Sequence, residues 1–304
     1  ARRRARPRQL ARCPRPCKQQ SAASSQLSTE ALGALAQAGH VRFPGAVPAR
    51  VAHALLELLW EDYSERYGVT RDDPSGWSTK KGQDVRLYGA VPPKLIESPE
   101  FEALTASLQE LGDRLFGIGG WRLRRKATMF VNCPSVNNSW TVPTGWHTDL
   151  PVDPAERAPK FLYAFAFLDL LEPRGGGTML LAGSARRMLL MGEAVPRGGE
   201  NLKEALASED AWFGSLFGLL GGAQHDGGLS GNEGRIARVP HSGTAGPLSA
   251  GIQMRVVELT GAPGDLVLWD PRALHAASSN VRARPRSVVR FRLELNAAAA
   301  PGLW

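Results

Sequence analysis

Residues 145–149 read Gly145-Trp146-His147-Thr148-Asp149 and, with one distant histidine, outline a metal site. In an extended strand successive side chains point to opposite faces, so His147 and Asp149 project together while Thr148 points away. A second imidazole, His275, supplies a third ligand for the same face of an ion. Two histidines and one carboxylate on one face suit oxygen-activating non-haem Fe(II), because the opposite face stays open for cosubstrate and dioxygen. Zinc is the competing ion, although catalytic zinc more often takes three His or two His and a Glu. A His-x-Asp triplet alone arises readily by chance, so the surrounding sequence has to decide.

The second histidine follows a strand pattern, Gly264-Asp265-Leu266-Val267-Leu268-Trp269, closed by a turn at Pro271. Eleven positions beyond His275 stands Arg286, in the run Arg284-Pro285-Arg286-Ser287. A guanidinium stays charged and binds a carboxylate through two parallel hydrogen bonds, which is what a dicarboxylate cosubstrate needs. If Arg286 faces inward, strict alternation turns Val288, Arg290 and Arg292 inward with it. Buried charges are costly unless paired. Either a bulge breaks the alternation, or Arg290 meets a charged substrate or an internal acid. Arg284 shares the parity and is the reserve candidate for the carboxylate.

Upstream the pattern is helical. Ser28 predicts an N-cap for a helix over 29–38 stopped by Gly39, and His40–Phe43 reads as a short strand. Pro48 opens a longer helix with Val51, Leu55, Leu58, Leu59 and Tyr63 on one face, ending near Gly68. Residues 69–90 are rich in polar residues and turn formers and predict a loop. Ser98-Pro99-Glu100 starts a helix whose Phe101, Leu104, Leu108, Leu111 and Leu115 form a buried stripe up to Gly117. From Trp121 the signal changes to short strands at 127–132, 161–170, 178–181, 254–259, 265–269 and 287–295. Helices followed by many short strands predict a mainly β fold with flanking helices. Residues 185–252 read as an insertion between strands: a helix over 201–220, then a Gly-rich stretch at 221–251 that is a candidate lid. Trp212, Phe213 and Phe217 there must bury against something, either the outside of the β core or the mouth above His147 and His275. His53, His225 and His241 read as packing or solvated histidines.

The charge is local. The chain carries 37 Lys and Arg against 29 Asp and Glu. Eight of those basic residues lie between Arg2 and Lys18, before the first acid at Glu30; removing them leaves 29 against 29. The remainder is close to neutral, which argues against a nucleic-acid groove. Residues 1–27, Arg-rich, acid-free and then Ser/Ala-rich, resemble a mitochondrial or chloroplast transit peptide; read as a plain basic extension, they leave the chain in the cytoplasm. No apolar run reaches the roughly 18 residues of a membrane span. Cys13 and Cys17 in the leader and Cys133 in the core make no disulfide framework.

Four segments in order carry a family resemblance: Ala38-Gly39-His40-Val41-Arg42-Phe43-Pro44-Gly45, Trp146-His147-Thr148-Asp149, Gly177–Ser184, and the final Gly-Asp…His…Asn…Pro-Arg-Ser run. Together they resemble the phytanoyl-CoA hydroxylase family of Fe(II)/2-oxoglutarate dioxygenases, which includes ectoine hydroxylase. The resemblance spans most of 29–295. It implies a double-stranded β-helix (a cupin-like jelly roll) with Fe(II) on His147, Asp149 and His275. It also implies 2-oxoglutarate held by Arg286, and hydroxylation of a small molecule by O2 with release of succinate and CO2. Asn132 stands where many relatives carry a lysine and is assigned to the cosubstrate with Arg286; Trp146 and Phe165 are assigned as apolar substrate walls. Ala277 replaces a small hydroxyl residue that often assists the cosubstrate, and Ala185 replaces a usual His. Asp149 argues against halogenating relatives, in which loss of the carboxylate frees a site for chloride. The competing functions are a nucleic-acid oxidative demethylase, whose last-strand pattern 287–292 does not reproduce, and a non-catalytic barrel, which the retained ligands disfavour.

Overall fold

The computed structural model describes residues 29–77, 86–124, 126–134, 140, 142–150, 158–191, 199–219 and 245–296. The basic leader with Cys13 and Cys17, the Gly-rich 220–244, and with it His225 and His241, lie outside these residues.

Helix α1 (29–38) ends at Gly39, whose positive φ of 79° suits a residue without Cβ. Strand β1 (His40–Phe43) follows, then α2 (Ala49–Tyr67), stopped by Gly68 in the left-handed conformation. After a 3-10 turn at Pro74–Gly76 come β2 (Arg86–Ala90), α3 (Pro93–Ile96) and α4 (Pro99–Phe116). The Ser98 hydroxyl accepts from the Phe101 N–H and caps α4 as its Ser-Pro-Glu start predicts. Then follow β3 (Trp121–Leu123), β4 (Thr128–Asn132), β5 (Phe161–Phe167) and β6 (Thr178–Ala182). Three helices, α5 (Ser184–Met191), α6 (Gly199–Glu209) and α7 (Ala211–Phe217), precede β7 (Ala245–Ser249). The chain finishes with β8 (Ile252–Glu258), β9 (Leu266–Trp269), β10 (His275–Ala277) and β11 (Arg286–Leu295).

The strands form two antiparallel sheets. The larger has the order β1-β9-β5-β11-β4-β2, with β3 pairing the far end of β11; the smaller runs β10-β6-β8-β7. Phe165, Phe167, Val267, Trp269 and Val288 of the large sheet pack against Leu180, Ala182 and Leu259 from the side of the small one. The opposite face of the large sheet, with Leu162, Ala164, Leu268, Val289, Phe291 and Leu293, packs on the apolar stripes of α2 and α4. The opposite face of the small sheet, with Met179, Leu181 and Val256, packs under α6 and α7. Because both faces of each sheet are covered, β5 and β6 read as nearly continuous apolar runs. Each fully buried Leu or Phe contributes about 1.5–3 kcal/mol. This helix-flanked pair of sheets is the jelly-roll architecture that the sequence implies.

Three expectations change, and one open alternative is resolved. The stretch 69–90 is not all loop: β2 is a strand completed by pairing with β4. The helix over 201–220 is two helices, because Asp210 accepts from the Trp212 N–H and caps a new one. The stretch 185–252 contains α5, and its end is β7, the fourth strand of the small sheet. Phe213 and Phe217 bury on the outer face of that sheet rather than over the mouth. Asp265 of the Gly-Asp pair is structural. Its carboxylate accepts from the Gly45 and Ala262 N–H groups at 2.8 Å each and pairs with Arg42, tying β1 to the turn before β9.

Candidate metal and cosubstrate site

The turn after β9 delivers His275 to the inner face. Buried Arg272 and Asp270 pair at 2.7 Å, and the Arg272 N–H donates to the same carboxylate at 2.9 Å, which locks residues 270–272. The Asp149 N–H donates to the Pro271 carbonyl at 3.0 Å. His147 and His275 exchange both backbone hydrogen bonds at 2.9 Å. This short antiparallel bridge stitches the His-x-Asp segment to the edge of the small sheet. On either side of His275, Leu274 and Ala276 point outward into the cluster under α6 and α7. His275 therefore points inward, where its ring meets the edge of Trp269 at 4.8 Å.

Each imidazole is oriented by a backbone carbonyl two residues back. His147 Nδ1 lies 2.8 Å from the Gly145 oxygen and His275 Nδ1 3.0 Å from the Ala273 oxygen. A carbonyl only accepts, so both Nδ1 atoms carry the proton and both Nε2 lone pairs are directed to a ligand. The two Nε2 atoms lie 3.6 and 3.7 Å from Asp149 Oδ1, and the three ligand atoms fall within 4.8 Å of one another. Burial works against the Asp149 charge, but the neighbouring His275, Tyr163 and Arg290 outweigh it. The carboxyl is held below its ordinary value. Two neutral nitrogens and one anionic oxygen converging on one point fit Fe(II).

Arg286 opens β11 fully inside the protein. Its Nη1 donates to the Gly176 carbonyl at 2.7 Å and its Nη2 to Thr178 Oγ1 at 3.3 Å, between the rings of Phe130 and Phe165. Burial lowers its pKa to about 10, against the raising influence of Glu258, so it remains charged. Its Nε and the nearby Asn132 Oδ1 are buried without a hydrogen-bond partner. The unpaired Nε is a donor that a carboxylate would satisfy, whereas the Asn132 oxygen only accepts and would not be satisfied by one. Asn132 is the cross-strand partner of Arg286, with its Nδ2 donating to the Ser278 carbonyl at 3.2 Å. A hydroxyl does stand beside Arg286 despite Ala277: it belongs to Thr178, the cross-strand partner of Ala277.

The structure thus brings together His147, Asp149 and His275, and places Arg286 and Asn132 side by side. Phe165 lies between the Arg286 guanidinium and Trp269 as a fully buried wall. Trp146 goes elsewhere. Alternation turns it to the outer face, where it packs on Phe217 at 6.3 Å, so it anchors α7 and is no part of the inner wall. Arg284 is 63% exposed beside Asp169 at 3.9 Å and is no rival to Arg286. No bulge interrupts β11: its register with β4 and β5 is continuous from Arg286 to Glu294. Arg290 therefore does face inward and meets the internal acid Asp149, with Nη1 3.7 Å from Oδ2. Tyr163, Thr178 and Glu258 complete the surroundings and were not legible as site residues. Glu258 accepts from the Arg174 and Gly177 N–H groups at 2.6 and 2.8 Å and shapes the turn that holds Arg286. Thr178 had one available signal, its place in the Gly177–Ser184 segment.

A search of curated proteins found no match. Among solved structures, the chain is similar to the non-heme alpha ketoglutarate dependent carbocyclase SnoK from nogalamycin biosynthesis. The identity is 18%, over 92% of this chain and 90% of that one, with a TM-score of 0.52. AviO1 from Streptomyces viridochromogenes Tue57 is similar at 16% identity over 90% of this chain and 97% of that one, with a TM-score of 0.50. Both likenesses bear on the fold. A family model for phytanoyl-CoA dioxygenase (PhyH) matches residues 35–288. Extending over the ligand cluster, both sheets and Arg286, that match shows that the chain belongs to the phytanoyl-CoA dioxygenase family and is an Fe(II)- and 2-oxoglutarate-dependent dioxygenase.

Proposed function

We propose that His147, Asp149 and His275 hold the Fe(II), that Arg286 with Thr178 and Asn132 anchors 2-oxoglutarate, and that the product is a hydroxylated small molecule. The observation that carries the assignment is the convergence of the two Nε2 atoms and one carboxylate oxygen within 4.8 Å, with both Nδ1 atoms already engaged. Bound there, iron and 2-oxoglutarate supply the oxidising power, and dioxygen is divided between substrate and succinate. The chain supplies position. The Gly145 and Ala273 carbonyls aim the imidazoles, Asp149 contributes the negative charge, and Arg286 presents its fork from a site closed to water. Buried Phe165 and Trp269, with half-buried Phe130, form an apolar floor beside the site. A small-molecule rather than a nucleic-acid substrate is supported by the near-neutral charge beyond the leader.

Titration of the apo protein with Mn(II), followed by succinate release from the Fe(II) form, tests the assignment. His147→Ala or Asp149→Ala is expected to lower metal affinity by more than the roughly 10–100-fold typical of changes behind the ligands, and to abolish succinate release. Wild-type metal affinity in either variant would remove that residue from the site. We further infer an organellar address for residues 1–27 from their Arg-rich, acid-free composition. A fluorescent protein fused behind those residues tests it, and diffuse cytoplasmic fluorescence would overturn it.

A further inference from the structure

Arg290 is the charged group that the site as assigned so far does not use. It lies on the inner face of β11 opposite Phe165 and Thr128, four residues from Arg286, about 13 Å along a strand. Its guanidinium stands 4.3 Å from the Tyr163 ring, 5.0 Å from Phe130 and 5.9 Å from Tyr88. Those three rings hold the planar group by cation–π contact and restrict its rotamers, so little freedom is left to lose on binding. A guanidinium carries five N–H donors. Among the described residues one hydrogen bond is made, from Nη2 to the Tyr88 hydroxyl at 3.1 Å. The approach of Nη1 to Asp149 Oδ2, 3.7 Å, is too long to be a hydrogen bond. The other carboxylate oxygen, Oδ1, faces the two imidazoles. Unlike the sealed Arg286, the Arg290 side chain is 18% exposed, and its neighbour Tyr88 and the candidate ligand His147 are more exposed still.

A fixed, half-desolvated cation with open donors, next to the metal ligands and reachable from solvent, is a preformed anion clamp. We propose that Arg290, assisted by Tyr88, binds an anionic group of the substrate, a carboxylate or a phosphate, and so holds the substrate against the metal. This deepens the site assignment above and rests on it: Asp149 must be a metal ligand for Arg290 to stand at the substrate's side of the metal. A substrate anion also gives Arg290 the partner that Asp149 no longer provides once its charge is shared with the metal.

Binding to the full-length protein loaded with Mn(II) and saturated with 2-oxoglutarate tests the proposal without turnover. The probes are benzoate, phenyl phosphate and benzamide, and the readout is paramagnetic relaxation of their ring protons by the Mn(II). At least one anion is expected to relax faster than benzamide; benzoate alone identifies a carboxylate, phenyl phosphate alone a phosphate. Arg290→Met is expected to weaken the preferred anion by about ten-fold or more, equivalent to about 1.4 kcal/mol. Arg290→Lys is expected to retain part of it, since the charge stays while the fork is lost. Mn(II) affinity in Arg290→Met is expected to hold or rise, because a cation beside the ligand carboxylate has been removed. Equal relaxation by benzamide and both anions overturns the proposal, as does an Arg290→Met protein that keeps the anion affinity. A loss of Mn(II) affinity as large as the loss of anion affinity also overturns it, by making Arg290 a prop for Asp149. Failure of the wild type to take up Mn(II) defeats the site assignment and this inference with it, whereas Mn(II) uptake without anion preference defeats this inference alone.

Discussion

Arg286 and Arg290 leave the same face of one strand and meet opposite surroundings. Arg286 is sealed among the Gly176 carbonyl, the Thr178 hydroxyl and two rings, with the Glu258 charge near enough to favour its own. Arg290 is held by three rings and one hydrogen bond to the Tyr88 hydroxyl, and opens toward Asp149 and the solvent. The closed end has the character of a receptor for one invariant ligand: its donors are fixed by one backbone carbonyl and one buried hydroxyl. The open end has the character of a selector, since its partners are side chains at the mouth. In one strand the alternation of an antiparallel sheet thus places a sealed and an open guanidinium on the same face, the proposed cosubstrate anchor and the proposed clamp for a second ligand.

The largest effect that would sharpen this contrast is at the closed end. Arg286→Ala is expected to weaken 2-oxoglutarate by about 2–5 kcal/mol, as truncation of one partner in a desolvated charge pair does, while Mn(II) affinity stays near that of the wild type. Titration of the Mn(II)-loaded protein with 2-oxoglutarate measures both. If metal and cosubstrate weaken together, the two ends are not separate sites. A smaller change is expected from Gly176→Ala. At φ 82° a Cβ there would lie 2.4 Å from Asn132 Nδ2 and 2.9 Å from Asn280 Cβ. The strain amounts to about 1–3 kcal/mol, read as a lower melting temperature together with weaker 2-oxoglutarate binding. An unchanged 2-oxoglutarate affinity would show that the turn carrying the Gly176 carbonyl does not position Arg286. Arg284→Ala is expected to do least, within about 0.5 kcal/mol in stability and with no change in 2-oxoglutarate affinity, since the side chain is solvated. Should it weaken the cosubstrate more than Arg286→Ala does, the anchor lies two residues earlier than assigned.

Much of the architecture was legible because it obeys short-range rules. The stripes of α2 and α4, the Ser98 cap and the Gly68 and Gly117 stops are local matters of backbone conformation and 3.6-residue spacing. The alternation that put His147 and Asp149 on one face, and Arg286 and Arg290 on another, is equally local. Strands β2 and β7 were not legible, since they are edge strands with turn-forming or Gly-rich composition that pair only because β4 and β8 offer free edges. The break between α6 and α7 was missed because an apolar face continues through Asp210 and hides the cap.

The sequence by itself determined which candidate ligands share a face and narrowed the proposed carboxylate anchor to two arginines, because residue chemistry and a two-residue period suffice for that. Tertiary structure decided the rest: that Trp146 serves α7 and not the substrate, that Thr178 provides the hydroxyl missing at Ala277, and that Arg290 stands at the open side of Asp149. The physical reason is that each of these depends on which faces of two sheets are covered, and by what. Covering is set by contacts between residues tens to hundreds of positions apart, about which the neighbours in sequence carry no information.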